Sequence, residues 1–240
     1  MIEKTEVIVL GTVKYGDNSL ILRTYSREQG LLSFIAGSVR SRKGPLKPAM
    51  AQVLSVLQVV YYGKTRGELK RIKEVGVAEP LKDIFYHPVK SSLAMFLAEI
   101  LQHVIHEEEP NQALYRYLHQ AIYQLDEATE GLGSFHLKFL YTLAGYLGFQ
   151  PEQPQGELPY FDLYSGTYVV EEPVHAHFLR LQQLANWRLL HRHADHLDSR
   201  ISLSGRERRE LLEALLLYYR LHIKDFGSLR SLEVLTELLS

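Results

Sequence analysis

At 240 residues, with 46% apolar and 23% charged positions, the chain is long enough to bury a core and has the make-up of an ordinary globular protein. Zero cysteines exclude disulfides, thiolate nucleophiles and zinc sites built on sulfur. The formal net charge of −1 hides a split: residues 1–80 hold 13 Lys and Arg against 7 Asp and Glu, while residues 81–240 hold 14 against 21. Such a division suggests a basic module that meets a polyanion, joined to an acidic one with another task. Chance variation between short segments is the competing reading. The opening MIEKTEVIVLG has no apolar core behind a basic start, and no eighteen-residue apolar run exists. The expected address is the cell interior.

The first 80 residues read as strands. Residues 5–14 are rich in Val and Ile, and Tyr15-Gly16-Asp17-Asn18-Ser19 has turn chemistry. Residues 19–26 alternate, residues 27–30 turn, and residues 31–36 form a third strand. The segment 37–48, with two Gly, two Pro and four cations, is a loop. Strands over 53–62 and 68–77 follow, joined by a turn at 63–67. Five short strands in this length predict a small closed barrel, either an OB-fold or an SH3-like barrel.

From Pro80 the apolar period becomes helical. Leu93, Phe96, Leu97, Ile100, Leu101 and Val104 mark a helix over 91–106, and the pattern repeats over 111–128. Ser134 is the expected cap of a third helix, 135–147, which stops at Gly148 and Pro151. Residues 154–173 are irregular, with a small hairpin about Gly166. Helices over 176–194, 204–223 and 231–239 complete the chain. The fold class is therefore α+β: a basic barrel over 1–80 and an acidic helical domain over 81–240, interrupted by an insertion near 152–172.

Single strands are held by cations that track phosphates and by aromatic faces that stack on bases. Arg40, Arg42, Lys43 and Lys47 lie in the basic loop, with Lys14, Arg23 and Arg27 near by in sequence. A second group, Lys64, Arg66, Lys70, Arg71 and Lys73, occupies the last hairpin. Tyr15, Tyr25, Tyr61 and Tyr62 are the candidate stackers; Phe34 is assigned to the core. Alternation along the second strand puts Arg23 and Tyr25 on one face. A solvated rim of Lys and Arg is the alternative.

His191, His193 and His196, with Asp195 and Asp198, resemble a metal-ligand set in composition only. On a helix His191 points away from the other two, and no general-base Glu lies in register, so no metal site is assigned and no cofactor is expected. Gly-x-Ser-x-Gly, a phosphate loop and a dinucleotide fingerprint are all missing. Nothing in the sequence argues for an enzyme.

The order and spacing of several segments resemble the RecO family. That family begins with a strand, a Tyr-Gly-acid-x-Ser turn and a second strand running into Thr-x-x-x-x-x-Gly, then a third strand and a basic Gly-x-x-Arg loop. Here these are Tyr15 to Ser19, Thr24 to Gly30, and Gly37 to Arg40. Pro45-Leu46, Pro48 and Tyr62-Gly63 also fit, as do Leu97-Ala98-Glu99-Ile100-Leu101 and Glu107-Glu108-Glu109-Pro110. Phe139 through Gly148-Phe149-Gln150-Pro151 resembles the family's Leu-Gly-x-x-Pro helix end, and Leu229-Arg230-Ser231-Leu232 its closing motif.

The resemblance implies an amino-terminal OB-fold, a helical carboxy-terminal domain, and annealing of complementary strands without catalysis. It implies binding of single- and double-stranded DNA in the cytoplasm, at the nucleoid, with no membrane. The implied partners are RecR and the acidic tail of single-strand-binding protein, with RecA loaded onto the coated DNA. For that tail, Arg116, Lys138 and Tyr141 are the candidate contacts. Many relatives carry four cysteines as a zinc finger after Leu-Gly-x-x-Pro; residues 152–172 have none, so the metal does not carry over. Tyr160, Phe161, Tyr164 and Tyr168 are expected to pack the hairpin instead. A protein-binding scaffold, or a metal-dependent phosphohydrolase using His191–Asp198, are the competing functions.

Overall fold

The computed structural model describes residues 1–39, 41, 44–63, 69–106, 109–154 and 156–239. The chain divides into two compact units, Met1–Asp126 and Glu127–Ser240. The division falls after the second helix, so two helices pack with the barrel.

In the first unit β1 (Ile2–Tyr15), β2 (Ser19–Ser26), β3 (Gly30–Ala36), β4 (Val56–Tyr62) and β5 (Leu69–Val77) close a barrel in the order β1-β2-β3-β5-β4. β3 and β5 run parallel, with Ser33 opposite Leu69 and Ile35 opposite Arg71. That order and that parallel contact make the barrel an OB-fold and set aside the SH3-like alternative. Alternation sends Val7, Val9, Leu22, Phe34, Leu57, Val59, Tyr61 and Ile72 inward. A short 3-10 turn, Pro48–Ala51, which periodicity does not reveal, contributes Ala51 to this core.

Ile8 and Leu10 alternate to the outside of β1 yet are 0% and 1% exposed, because α1 (Pro88–Val104) packs on that strand. The β1–β2 register slips between Val9 and Gly11. Gln102 of α1 meets this bulge, donating from Nε2 to the Leu10 carbonyl at 2.7 Å. A Cβ on Gly11 would lie 3.0 Å from the same amide, a tight contact that Gln102 would have to relieve. α2 (Gln112–Glu127) carries Asp126 in its last turn, and the Asp126 carboxylate accepts backbone N–H bonds from Lys82, Asp83 and Ile84 at 2.7–2.8 Å. Burial pushes that carboxyl up, but the three donors and nearby Lys90 outweigh it and hold it below the usual carboxylate range. Lys90, itself buried, bonds to the Asp126 carbonyl at 2.6 Å and pairs with Asp83 at 2.8 Å.

The second unit comprises α3 (Leu132–Tyr146), a three-stranded sheet β7-β6-β8, then α4 (Leu181–His193), α5 (Gly205–His222) and α6 (Leu232–Leu239). The predicted hairpin is β6 (Tyr160–Asp162) with β7 (Thr167–Val169), and β8 (Phe178–Arg180) adds a strand that the pattern does not show. α4 accordingly starts at Leu181 and not near residue 176, since pairing with β6 claims the preceding residues. Ser134 does not cap α3. The cap is Gly131 (φ +73°), where a Cβ would sit 2.3 Å from the Asp198 carbonyl oxygen, and Ser134 lies one turn inside. Ser204 and Glu207 form a reciprocal capping box on α5.

Aromatic packing holds the small sheet. Phe161 contacts Tyr168 at 4.8 Å and Trp187 at 5.1 Å between ring centres, and Trp187 contacts Tyr141 and Tyr218. Tyr160 packs on Phe178. Tyr164 departs from expectation: it is 56% exposed, beside His175 and His177, because alternation past the β6 edge turns it outward.

His136 on α3 is 2% exposed, and burial, with Arg208 close by, pushes its pKa down to about 3. The unfolded chain therefore takes up a proton first, below pH 6.5. Stability is full above that value and is lost as pH falls toward 3. The wild type is expected to lose roughly 2–3 kcal/mol more than His136→Leu between about pH 7.5 and 4.5, read by urea unfolding. Equal losses would show that the imidazole is not held neutral. Asp126→Ala strips the acceptor from three backbone donors and removes a negative charge near buried Lys90, and is expected to lower stability by about 3 kcal/mol or more. A change below about 0.5 kcal/mol would remove Asp126 from that role.

Candidate nucleic-acid interface

Positive charge on the barrel comes from side chains that alternation or strand ends turn outward. Lys14, Arg23, Arg27, Lys47 and Arg71 are exposed, and Lys70 is half-buried. Lys73 pairs with Glu74 at 3.4 Å. Arg40, Arg42, Lys43, Lys64 and Arg66 lie outside the described residues. Around them, Val39 N donates to the Asn18 carbonyl at 3.0 Å, tying the start of the basic loop to the β1–β2 turn. Lys47 Nζ reaches the Ser41 carbonyl at 3.3 Å.

The tyrosines separate sharply. Tyr15 and Tyr62 are 57% and 42% exposed. Tyr61 is fully buried: its hydroxyl donates to Glu3 at 2.7 Å and accepts from Gln29 at 2.8 Å. Burial first, then the Glu3 carboxylate, pushes its pKa up to about 12. It closes the barrel and offers no face to a base. Tyr25 does share the outward face with Arg23, but it is 1% exposed. Its ring stacks on Tyr115 of α2 with centres 6.3 Å apart, and its hydroxyl reaches the Asn111 carbonyl. The helix that covers it is far away in sequence, so strand alternation cannot reveal the burial.

Arg23 and Lys70 face a groove of about 690 Å³ along β2, β3 and the start of β5, with Leu31, Ser33 and His106 among its walls. Glu28 sits at one end. On the neighbouring strands Tyr62 lies directly opposite Arg71 across the β4–β5 ladder. Arg71 thus stands beside an exposed aromatic ring, an arrangement that can meet both phosphates and bases.

Two of the three expected partner contacts, Lys138 and Tyr141, are buried. Arg116 is exposed on α2 in the first unit, with Nε bonded to the Gln112 carbonyl. Lys138 and Tyr141 belong to the second unit and are 0% and 2% exposed. Lys138 Nζ donates to the carbonyls of His196 and Ser199 at 2.7 and 2.6 Å and to Ser199 Oγ at 3.3 Å. Burial pushes its pKa down to about 8, against the pull of Asp198. The lysine holds the loop after α4; sequence reasoning assigns it to the surface because lysine is seldom buried. Tyr141 Oη bonds His191 Nδ1 at 3.0 Å, and burial lowers the His191 pKa. Among the described residues, no three His, Asp or Glu side chains gather as metal ligands. Lys138→Met leaves two carbonyls facing a thioether and is expected to cost roughly 2–4 kcal/mol in chemical unfolding. A loss under about 0.5 kcal/mol would mean that the loop holds itself.

Two family models match the chain, described as recombination protein O N terminal over residues 1–81 and recombination protein O C terminal over residues 86–233. A DNA repair protein RecO of Phocaeicola vulgatus is 38% identical over 241 residues, covering 100% of both chains. Those of Flavobacterium psychrophilum and Bacteroides fragilis strain YCH46 are 35% and 34% identical, each over 99% of both chains. With an OB-fold barrel leading a helical unit, and with likeness of this extent along its whole length, the chain belongs to the RecO family of DNA repair proteins.

Proposed function

We propose that the protein is a non-enzymatic recombination mediator that binds single- and double-stranded DNA on its barrel and anneals complementary strands. On this reading it cooperates with RecR and helps load RecA onto DNA coated by single-strand-binding protein, in the cytoplasm at the nucleoid. The observation that carries it is the set of outward cations on the face of an OB-fold, in a chain of this family. No helix of the described chain is long and apolar enough to cross a membrane.

Annealing needs no bond to be made or broken by the protein. Two polyanions repel, and a cationic surface that neutralises phosphates on both lowers that repulsion and raises their local concentration. Base pairing then supplies the free energy. The competing phosphohydrolase reading loses support from the geometry of 191–199: His191 is bonded to Tyr141, and the His196 and Ser199 carbonyls face Lys138. That stretch serves the packing of α3.

Joint reversal of Arg23, Lys47, Lys70 and Arg71 to Glu is expected to abolish DNA binding in a mobility-shift assay, and strand annealing with it, with the circular dichroism spectrum unchanged. Single reversals are expected to lower the slope of log affinity against log salt by about 0.7–0.9 for each phosphate that is no longer neutralised. Retention of wild-type affinity by the fourfold variant would transfer the function to a protein-binding scaffold.

For the acidic tail of single-strand-binding protein, a small pocket in the second unit suits a carboxylate followed by an apolar group. Arg208, Arg209, Leu212 and Leu235 are among its lining residues, and Arg209 is exposed. The Arg209→Glu variant is expected to lose at least tenfold in affinity for a tail peptide by fluorescence anisotropy. Unchanged affinity would place the tail elsewhere.

A further inference from the structure

The outward side of the barrel carries a row that DNA binding by cations alone does not require. Ile21 on β2 is the direct partner of Ile35 on β3, Ile35 of Arg71 on β5, Arg71 of Tyr62 on β4, and Tyr62 of Ile2 on β1. Direct partners on adjacent strands stand about 5 Å apart, so the five side chains form one transverse line of roughly 20 Å. Ile2 is 54% exposed, Tyr62 and Arg71 are exposed, and Ile21 and Ile35 are half-buried. The inward residues beside them, Leu22, Phe34, Tyr61 and Ile72, already fill the core. A strand face turned to water is ordinarily polar, yet four of these five are apolar or aromatic.

Cations bracket the line. One step along the strands Arg23 pairs with Ser33, and Ser33 with Leu69, which joins the row to the groove that holds Lys70. On the other side of Ile2 the next outward residue is Lys4, exposed and opposite Val60. An aromatic ring and aliphatic side chains, flanked by cations on both sides, fit a ligand with flat apolar plates hung on an anionic thread. An uncharged apolar protein surface would match the apolar groups but not the double flank of positive charge.

We propose that this row receives the unpaired bases of a single strand, with a base stacked on Tyr62 between Ile2 and Ile35 while Arg23 and Lys4 face the phosphates. The inference rests on the DNA-binding reading and adds to it the place where single strands are told from duplex. Bases in a duplex are stacked on one another and present only their edges, so they cannot turn onto the row. Phosphates are common to both forms. The cations therefore set affinity for any DNA, and the row adds affinity for unpaired DNA alone.

The test uses the full chain, with a fluorescent thirty-nucleotide oligo-dT and a hairpin duplex of equal phosphate count as probes, read by anisotropy. Tyr62→Ala is expected to weaken oligo-dT binding about 5- to 100-fold, as removal of one stacking platform does, and to leave the duplex within about twofold. Tyr62→Phe is expected to restore it, and Ile2→Ser, at an exposed position, to reproduce part of the loss should Tyr62→Ala fail to fold. Arg23→Glu is expected to weaken both probes. Normal oligo-dT binding by Tyr62→Ala, with Arg23→Glu impaired on both, would overturn the row as a base site and leave the DNA reading standing; a protein contact would then explain the apolar face. Equal losses on both probes would also overturn it. Failure of the wild-type chain to bind either probe would remove the DNA reading together with the row.

Discussion

A single strand belongs to both edges of the sheet. β1 pairs with β4 through Ile2–Ile8 and with β2 through Val7–Tyr15, so fourteen residues bend far enough to close the barrel. A regular strand does not curve so sharply, and the bulge at Val9–Gly11 supplies the bend. Closure leaves no long edge to aggregate. Everything assigned to the first unit depends on that bend. The same bulge receives Gln102 and so fixes where α1 lies on β1.

Buried charge in this protein is answered by backbone. The Asp126 carboxylate meets three N–H groups, Lys90 and Lys138 each meet carbonyl oxygens, and neutral His136 avoids carrying charge at all. Desolvating an ion costs several kcal/mol, so each of these groups survives in the interior only with such partners. The consequence for function is a sorting of cations. Those that fix the helices are sequestered, and the barrel's outward ones remain on the surface, where salt and polyanions can reach them.

A protein that anneals strands must hold DNA without holding it too well, since the product has to leave. Surface cations suit this, because their attraction is spread over many weak contacts and is screened by salt. The proposed stacking row adds an interaction that disappears when bases pair, so the duplex is released. Base pairing alone gives annealing its direction, with no chemical step.

Much of this is legible in the sequence. The five strands follow from period-two runs broken by Gly-bearing turns, the helices from three-and-four spacing, and the basic character of the barrel from counting charges; each is a local property of the chain. The four tyrosines and Lys138 mark where local reading ends. Tyr61 and Tyr62 are neighbours with opposite fates, separable by parity alone, but Tyr25 has the parity of a surface residue and is covered by Tyr115, ninety positions away. Lys138 has the chemistry of a surface residue and is buried because the loop after α4 offers it three acceptors. β8 is hidden inside a helical pattern until β6 claims it. The sequence by itself determined the five barrel strands, most of the helices and which end of the chain is cationic, because period and charge are written residue by residue. Which faces stay open, and which polar groups go inside, was decided only when distant segments packed, because burial is a property of pairs.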